Sequence, residues 1–132
     1  VIVADANVLV YRILPNPRRS DAWALARHDA NWAAPMLWRS EVRNALAKHL
    51  RAGQINPREA EIAMRLGESC LLGGEHTVSD HAVFDLVSKS RCSAYDCEYI
   101  ALAQALGTIL ITEDQALHRA FPRECRSIAQ VI

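Results

Sequence analysis

Four acidic residues of this 132-residue chain stand where acids are costly or unexpected: Asp5, Glu41, Asp96 and Asp114. Asp5 closes the apolar run Val1-Ile2-Val3-Ala4, and Asp114 follows Thr108-Ile109-Leu110-Ile111-Thr112 with one residue between. Neither run alternates with polar residues, the habit of strands buried on both faces of a parallel sheet. Ligands of such sheets bind beyond the carboxyl ends of the strands, near the point where strand order reverses. A carboxylate at the mouth of a buried strand costs free energy unless something pairs with it. Glu41 borders the apolar stripe Trp38, Val42, Ala45, Leu46, His49 and Leu50 rather than opposing it. Asp96 shares a helical face with Ile100 and Ala103, in the first turn of its segment.

Each acid also has a plainer role. Asp5, Asn7, Thr112 and Asp114 are all good helix caps. Asp96 in a first turn complements the helix dipole, worth about 0.3–1 kcal/mol. Glu41 within reach of Arg43 or Lys48 makes a surface ion pair worth at most about 1 kcal/mol. Gathered at one pole, however, the four repel one another and need a cation or raised pKa values. Oxygen ligands without His or Cys suit a hard dication, Mg2+ or Mn2+ rather than zinc. Two such ions roughly 3.5–4 Å apart clamp a phosphodiester and activate water for in-line attack.

The elements that must position these acids are legible as alternating helices and strands. Helical patterns run over about Asn7–Leu14, ended by Pro15 and Pro17, and over Ser20–Asn31, Leu37–Arg51 and the segment opened by Asn56-Pro57 as far as Leu72. Further helices follow Ser79 to about Ser90, Ser93 or Ala94 to Ala105, and Asp114. Short strands are expected at Ala33–Pro35, His76–Val78 and, as an edge, Arg126–Ala129. This alternation predicts one three-layer α/β/α domain over residues 1–132, with a mainly parallel central sheet and about half the chain helical.

Composition bounds the function. Hydrophobic residues make up 51% and charged residues 23%, which excludes a disordered chain. Lys+Arg and Asp+Glu are 15 each, so no global positive charge favours a wrap around duplex DNA. No apolar run approaches the roughly 20 residues of a membrane span, and no leader pattern precedes the first strand, so a cytoplasmic protein is expected. The four cysteines lack ligand spacing and read as reduced, packed thiols. The five histidines are scattered, without partners for a nucleophilic triad. Arginine supplies 13 of the 15 cations. That bias has a plain source in GC-rich coding, yet Arg12, Arg39 and Arg43 lie near the acids in sequence and are candidate contacts to the phosphates of a substrate backbone.

Val3-Ala4-Asp5-Ala6-Asn7-Val8-Leu9, Glu41 in a mid-chain helix, Tyr95-Asp96-Cys97-Glu98-Tyr99-Ile100-Ala101-Leu102-Ala103 and Leu110-Ile111-Thr112-Glu113-Asp114 together resemble a PIN domain, most nearly a VapC-type toxin of a toxin–antitoxin pair. The likeness spans essentially the whole chain. It implies a Mg2+- or Mn2+-dependent endoribonuclease in which Asp5, Glu41, Asp96 and Asp114 match the four acids that bind metal and catalyse. Asn7 matches the polar residue supporting the first acid, where many relatives carry Ser or Thr, and Thr112 matches the hydroxyl beside the fourth. The resemblance further implies an RNA substrate, a homodimer and a cognate antitoxin.

Two other readings stand beside it. An aspartyl-phosphate receiver, or a phosphatase of the haloacid-dehalogenase kind, also uses an acidic Mg2+ pocket on an α/β sheet. The receiver needs a late strand-end lysine, whereas Lys48 and Lys89 both fall on helices; the phosphatase needs Asp-x-Asp where Asp5-Ala6-Asn7 stands. A non-catalytic binding module would use the acids only as caps.

Overall fold

The computed structural model describes all of residues 1–132. Five short strands form one sheet: β1 (Ile2–Ala4), β2 (Trp32–Pro35), β3 (Glu75–His76), β4 (Leu110–Ile111) and β5 (Cys125–Arg126). Their order is β3-β2-β1-β4-β5, and every neighbouring pair is parallel. Seven helices connect them: α1 (Ala6–Ile13), α2 (Arg19–His28), α3 (Trp38–Arg51), α4 (Pro57–Cys70), α5 (Asp80–Ser88), α6 (Ala94–Ala105) and α7 (Gln115–Ala120). A final 3-10 turn covers Ile128–Gln130. Helix occupies more than half of the chain, as the sequence pattern predicts.

The strand order reverses at β1. From β1 the chain moves outward through β2 to β3, then returns to the other side of β1 for β4 and β5. Parallel crossovers are right-handed, so the reversal sends the helices to opposite faces. Helices α1 to α4 pack on one another in one layer, while α6 lies across β1, β2 and β4 with α5 against it. The layers close over a single apolar core in which Val3, Ala4, Val8, Leu9, Trp38, Ile100, Leu110 and Ile111 are buried.

Local chemistry sets the helix ends. Asn56 and Glu59 form a reciprocal capping box, with Pro57 at the first helical position. Ser79 and Ser93 cap α5 and α6 by accepting from the amides of Ala82 and Asp96. The segment expected as helix to Asn31 stops at His28, because Asp29 turns the chain by accepting from the Asn31 amide and the Val1 ammonium. The strand expected over Thr108–Thr112 is paired only at Leu110–Ile111, where β5 and β1 both flank it. The expected edge strand at Arg126–Ala129 shifts to Cys125–Arg126, and the 3-10 turn takes the rest. The strand expected at His76–Val78 likewise begins at Glu75 and ends at His76.

At the β2–β3 pairing, the Gly74 carbonyl accepts from the Ala34 amide at 2.9 Å. A Cβ on Gly74 would collide with the Trp32 carbonyl oxygen, a backbone atom that cannot yield without breaking the pairing. Gly53 differs: its φ is +72°, and a Cβ there meets nothing within 4 Å. Gly74→Ala is therefore expected to cost about 3 kcal/mol through overpacking. Gly53→Ala should cost only about 1 kcal/mol, through the left-handed backbone. Urea denaturation of the two variants measures the difference, and equal losses would refute this account of the β2–β3 junction.

Candidate active site

Register brings the first two site residues together. Ala4 pairs with Ile111, so the next residues along, Asp5 and Thr112, meet side by side beyond the strand ends. The Thr112 hydroxyl donates to Asp5 Oδ2 at 2.7 Å, and the Ala6 amide donates to Asp5 Oδ1 at 2.7 Å. Thr112 is fully buried, and its Oγ1 in turn accepts from the Asp114 amide at 3.1 Å. One hydroxyl therefore fixes the first acid and the backbone of the fourth. His118 adds a further tie, with Nε2 2.7 Å from the Thr112 carbonyl oxygen.

The other acids arrive on helix starts. β2 ends alongside Asp5, and α3 begins after two intervening residues, so Glu41 in its first turn faces the same edge of the sheet. The Tyr99 hydroxyl donates to Glu41 Oε1 at 2.7 Å. Tyr99 sits one turn after Asp96 on α6, so this helix carries one acid and holds another. Asp96 is half-buried in the first turn of α6, where its amide donates to the Ser93 hydroxyl at 3.1 Å. Asp114 caps α7, with Oδ1 accepting from the amides of Ala116 at 2.8 Å and Leu117 at 3.2 Å. Its Oδ2 is left free. The capping roles expected for Asp5 and Asp114 are thus real, but they engage only part of each carboxylate.

The acids feel one another. The Asp5 carboxyl is pushed above its ordinary range by burial, and the charges of Asp96 and Asp114 add to this; Thr112 and the Ala6 amide oppose it. Glu41 is raised by burial and by Asp5, Asp96 and Glu98, against the Tyr99 hydroxyl. Asp96 is raised by burial and by Asp114, with Ser93 opposing. Every side-chain charge acting on these three is negative. No lysine or arginine neutralises the cluster, and neither Lys48 nor Lys89 occupies a strand end as a receiver pocket requires.

This donor set fits a hard divalent cation. It is all oxygen, it carries uncompensated charge, and each acid keeps unengaged lone pairs. No three acidic, His or Cys side chains converge to a common ligation distance as placed. That spread is compatible with Mg2+, which keeps several of its waters and binds through only one or two carboxylates directly.

The remaining candidates lie elsewhere. Asn7 is exposed and makes no side-chain hydrogen bond, so Thr112 is the one side chain that donates to Asp5. Arg12 is turned to the opposite end of the sheet, 4.5 Å from the ring centroid of Trp32, the first residue of β2. Helix α1 runs away from Asp5, so nearness in sequence becomes separation in space. Arg39 is held by Glu75 at 2.7 Å and Glu68 at 3.0 Å, tying α3 to α4 and β3. Arg43 is exposed on α3 and makes no ion pair. Glu41 pairs with neither Arg43 nor Lys48. Tyr99 was not among the expected site residues, although its position three after Asp96 places both on one helical face.

Residues 2–121 match the family model for the PIN domain, and the chain belongs to this family. It is 30% identical over 126 residues to Ribonuclease VapC3 of Pyrobaculum aerophilum, a match covering 92% of this chain and 95% of that protein. The fold superposes on the crystal structure of FitAcB from Neisseria gonorrhoeae with a TM-score of 0.72, covering 98% of this chain and 99% of that one at 17% identity. No helix is long and apolar enough to cross a membrane.

The raised carboxyls have a measurable consequence. Asp96 binds its proton more tightly folded than unfolded, so its ionisation opposes folding. The penalty is absent below its ordinary pKa and grows as pH rises through the raised value. Asp96→Asn should therefore raise the Tm of chelator-treated protein at pH 8 and leave it nearly unchanged at pH 3.5. A variant that is destabilised equally at both pH values would contradict the repulsion described.

Proposed function

We propose that this chain is a divalent-metal-dependent endoribonuclease, the toxin component of a type II toxin–antitoxin pair, acting in the cytoplasm as a PIN unit over residues 1–132. One observation carries the reading: four acids from four separate segments act on one another at the reversal point of a parallel sheet, with no side-chain cation among them. Family membership and the likeness to a protein named a ribonuclease support it.

In this reading Asp5, Asp96 and Asp114, with Glu41 directly or through water, hold Mg2+ or Mn2+. When bound, the ion neutralises charge on the phosphate and lowers the pKa of water. The chain's own residues do the rest. Thr112 fixes the Asp5 carboxylate and the Asp114 backbone, so two ligands move as one rigid unit. Asp114 keeps Oδ2 free of hydrogen bonds while Oδ1 is pinned to α7. Tyr99 orients Glu41, whose raised pKa suits acceptance of a proton from the attacking water. The homodimer and the antitoxin belong to the same proposal. Large apolar side chains are left exposed on α2, α4, α5 and α6 (Trp23, Ile62, Leu66, Phe84 and Tyr95).

Purified protein incubated with total cellular RNA tests the activity. Cleavage is expected with Mg2+ or Mn2+ and not with chelator, and Asp5→Ala or Asp96→Ala should lower its rate by about 100-fold or more. Mn2+ at about 100 times its Kd should stabilise the wild-type fold by roughly 2.7 kcal/mol and the variants far less. Undiminished cleavage by a well-folded Asp96→Ala protein would remove the mechanism.

A further inference from the structure

A cavity of about 340 Å3 opens where β2, β3, α5 and α6 meet. Met36 just after β2, His76 at the end of β3, Phe84 on α5 and Glu98 on α6 all line it. Two of its walls are apolar side chains left in solvent: Phe84 is 65% exposed and Met36 44%. Glu98 is half-buried, and no group of the chain donates to its carboxylate. It is near enough to Glu41 for their charges to interact, so the cavity adjoins the acid cluster. Asp80 lines the cavity too, but it is exposed in the first turn of α5. Successive residues of a helix are turned by about 100°. Around α6, Tyr95 therefore falls between Asp96 and Glu98, and it is 63% exposed. An aromatic ring thus stands between the acids and the cavity.

We propose that this cavity is a base-selecting subsite in which Glu98 accepts the two adjacent donors of a guanine in single-stranded RNA. The proposal rests on the nuclease reading and names what decides where that nuclease cuts. An ionised carboxylate only accepts hydrogen bonds, and its two oxygens take two parallel donors. Guanine is the one RNA base whose Watson–Crick edge sets N–H groups side by side, at N1 and N2. Adenine and cytosine each place an amine beside a bare acceptor nitrogen, and uracil flanks its N–H with carbonyls. Each of these would turn a lone pair toward Glu98. The His76 ring on the same cavity supplies a donor for guanine O6. The carboxylates lining the cavity repel a phosphate but not the uncharged, donor-bearing edge of a base. Unstacked RNA bases are held by aromatic faces and read along that edge, the roles open to Phe84, Tyr95 and Glu98. A second copy of this chain fits less well. It would cover Phe84 and Met36 but leave Glu98 buried without a donor, which is costly.

The test uses oligoribonucleotides that differ at one position, carrying G, inosine, A, C or U, cleaved with Mn2+ by wild type and by Glu98→Gln. Inosine keeps the N1 donor and lacks the N2 amine. For wild type, kcat/KM at G should exceed that at A, C and U by about tenfold or more, with inosine between. Glu98→Gln sets a donor beside an acceptor and should move the preference to A or C. Its Mn2+-dependent rise in Tm should match wild type, which shows the acid cluster intact. Saturation-transfer NMR with guanosine, inosine and adenosine reads the cavity without turnover, because nucleosides carry no phosphate and need no metal. Guanosine signals should appear with wild type and vanish with Glu98→Ala. Guanosine bound through Glu98, with no oligonucleotide cleaved, supports the cavity and removes the nuclease reading. Cleavage without base preference, or with one that Glu98→Gln leaves unaltered, overturns the inference and leaves the nuclease reading standing. Sedimentation of Phe84→Ala as a monomer where wild type is a dimer, with base preference unaltered, gives the face to a second copy and overturns it equally.

Discussion

The hydrogen bond from Thr112 to Asp5 is the constraint on which the rest depends. A carboxylate at the end of a fully buried strand has lost most of its water, and no basic side chain replaces it. What holds it is the Ala6 amide and one buried hydroxyl, the latter set in place because Ala4 and Ile111 are register partners and the next residue on each strand projects into the same gap. That register exists only because β4 returns to lie beside β1 after the chain has travelled outward to β3. The strand-order reversal is therefore more than a convenient location: it makes the Asp5–Thr112 contact possible. Asp114 is tied to the same hydroxyl through its amide, so the spacing of two acids is inherited from the sheet.

Capping and ligation are not competing explanations for these acids. Each carboxylate has two oxygens and several acceptor positions. Asp114 spends one oxygen on two amides of α7, and Asp5 spends part of each on Ala6 and Thr112. The cap restrains the rotamer, which is the preorganisation a binding site needs. The same economy holds on α6, where Asp96 sits in the favourable field of a helix start while Tyr99, a turn later, steadies Glu41. Structural use of a polar group thus lowers the entropy cost of its functional use.

Much of this was legible in the chain. The two apolar runs identified β1 and β4, the Ser and Asn caps marked α4, α5 and α6, and the four acids were each singled out by an odd position relative to apolar neighbours. Legibility failed where tertiary partners decide. The strands are two to four residues long because pairing, not propensity, delimits them, so Thr108–Thr112 read longer than its ladder. Asn7 looked like support for Asp5, but the helix it enters turns its side chain to solvent, and the supporting hydroxyl comes from over a hundred residues away. Arg12 and Arg39 were near the acids in sequence only. A helix carries a residue about 1.5 Å further along its axis per step, so the seven steps from Asp5 are enough to take Arg12 toward the far end of the sheet.

A formal charge of zero conceals this separation. Negative groups without counter-ions collect at the carboxyl edge of the sheet, and positive groups without counter-ions stack on tryptophans toward the amino edge. Charges left unpaired inside one protein could have relieved each other had the chain placed them together, and elsewhere it does so readily, as Arg39 with Glu75 and Arg18 with Asp21 show. Keeping the two sets apart costs stability at both ends.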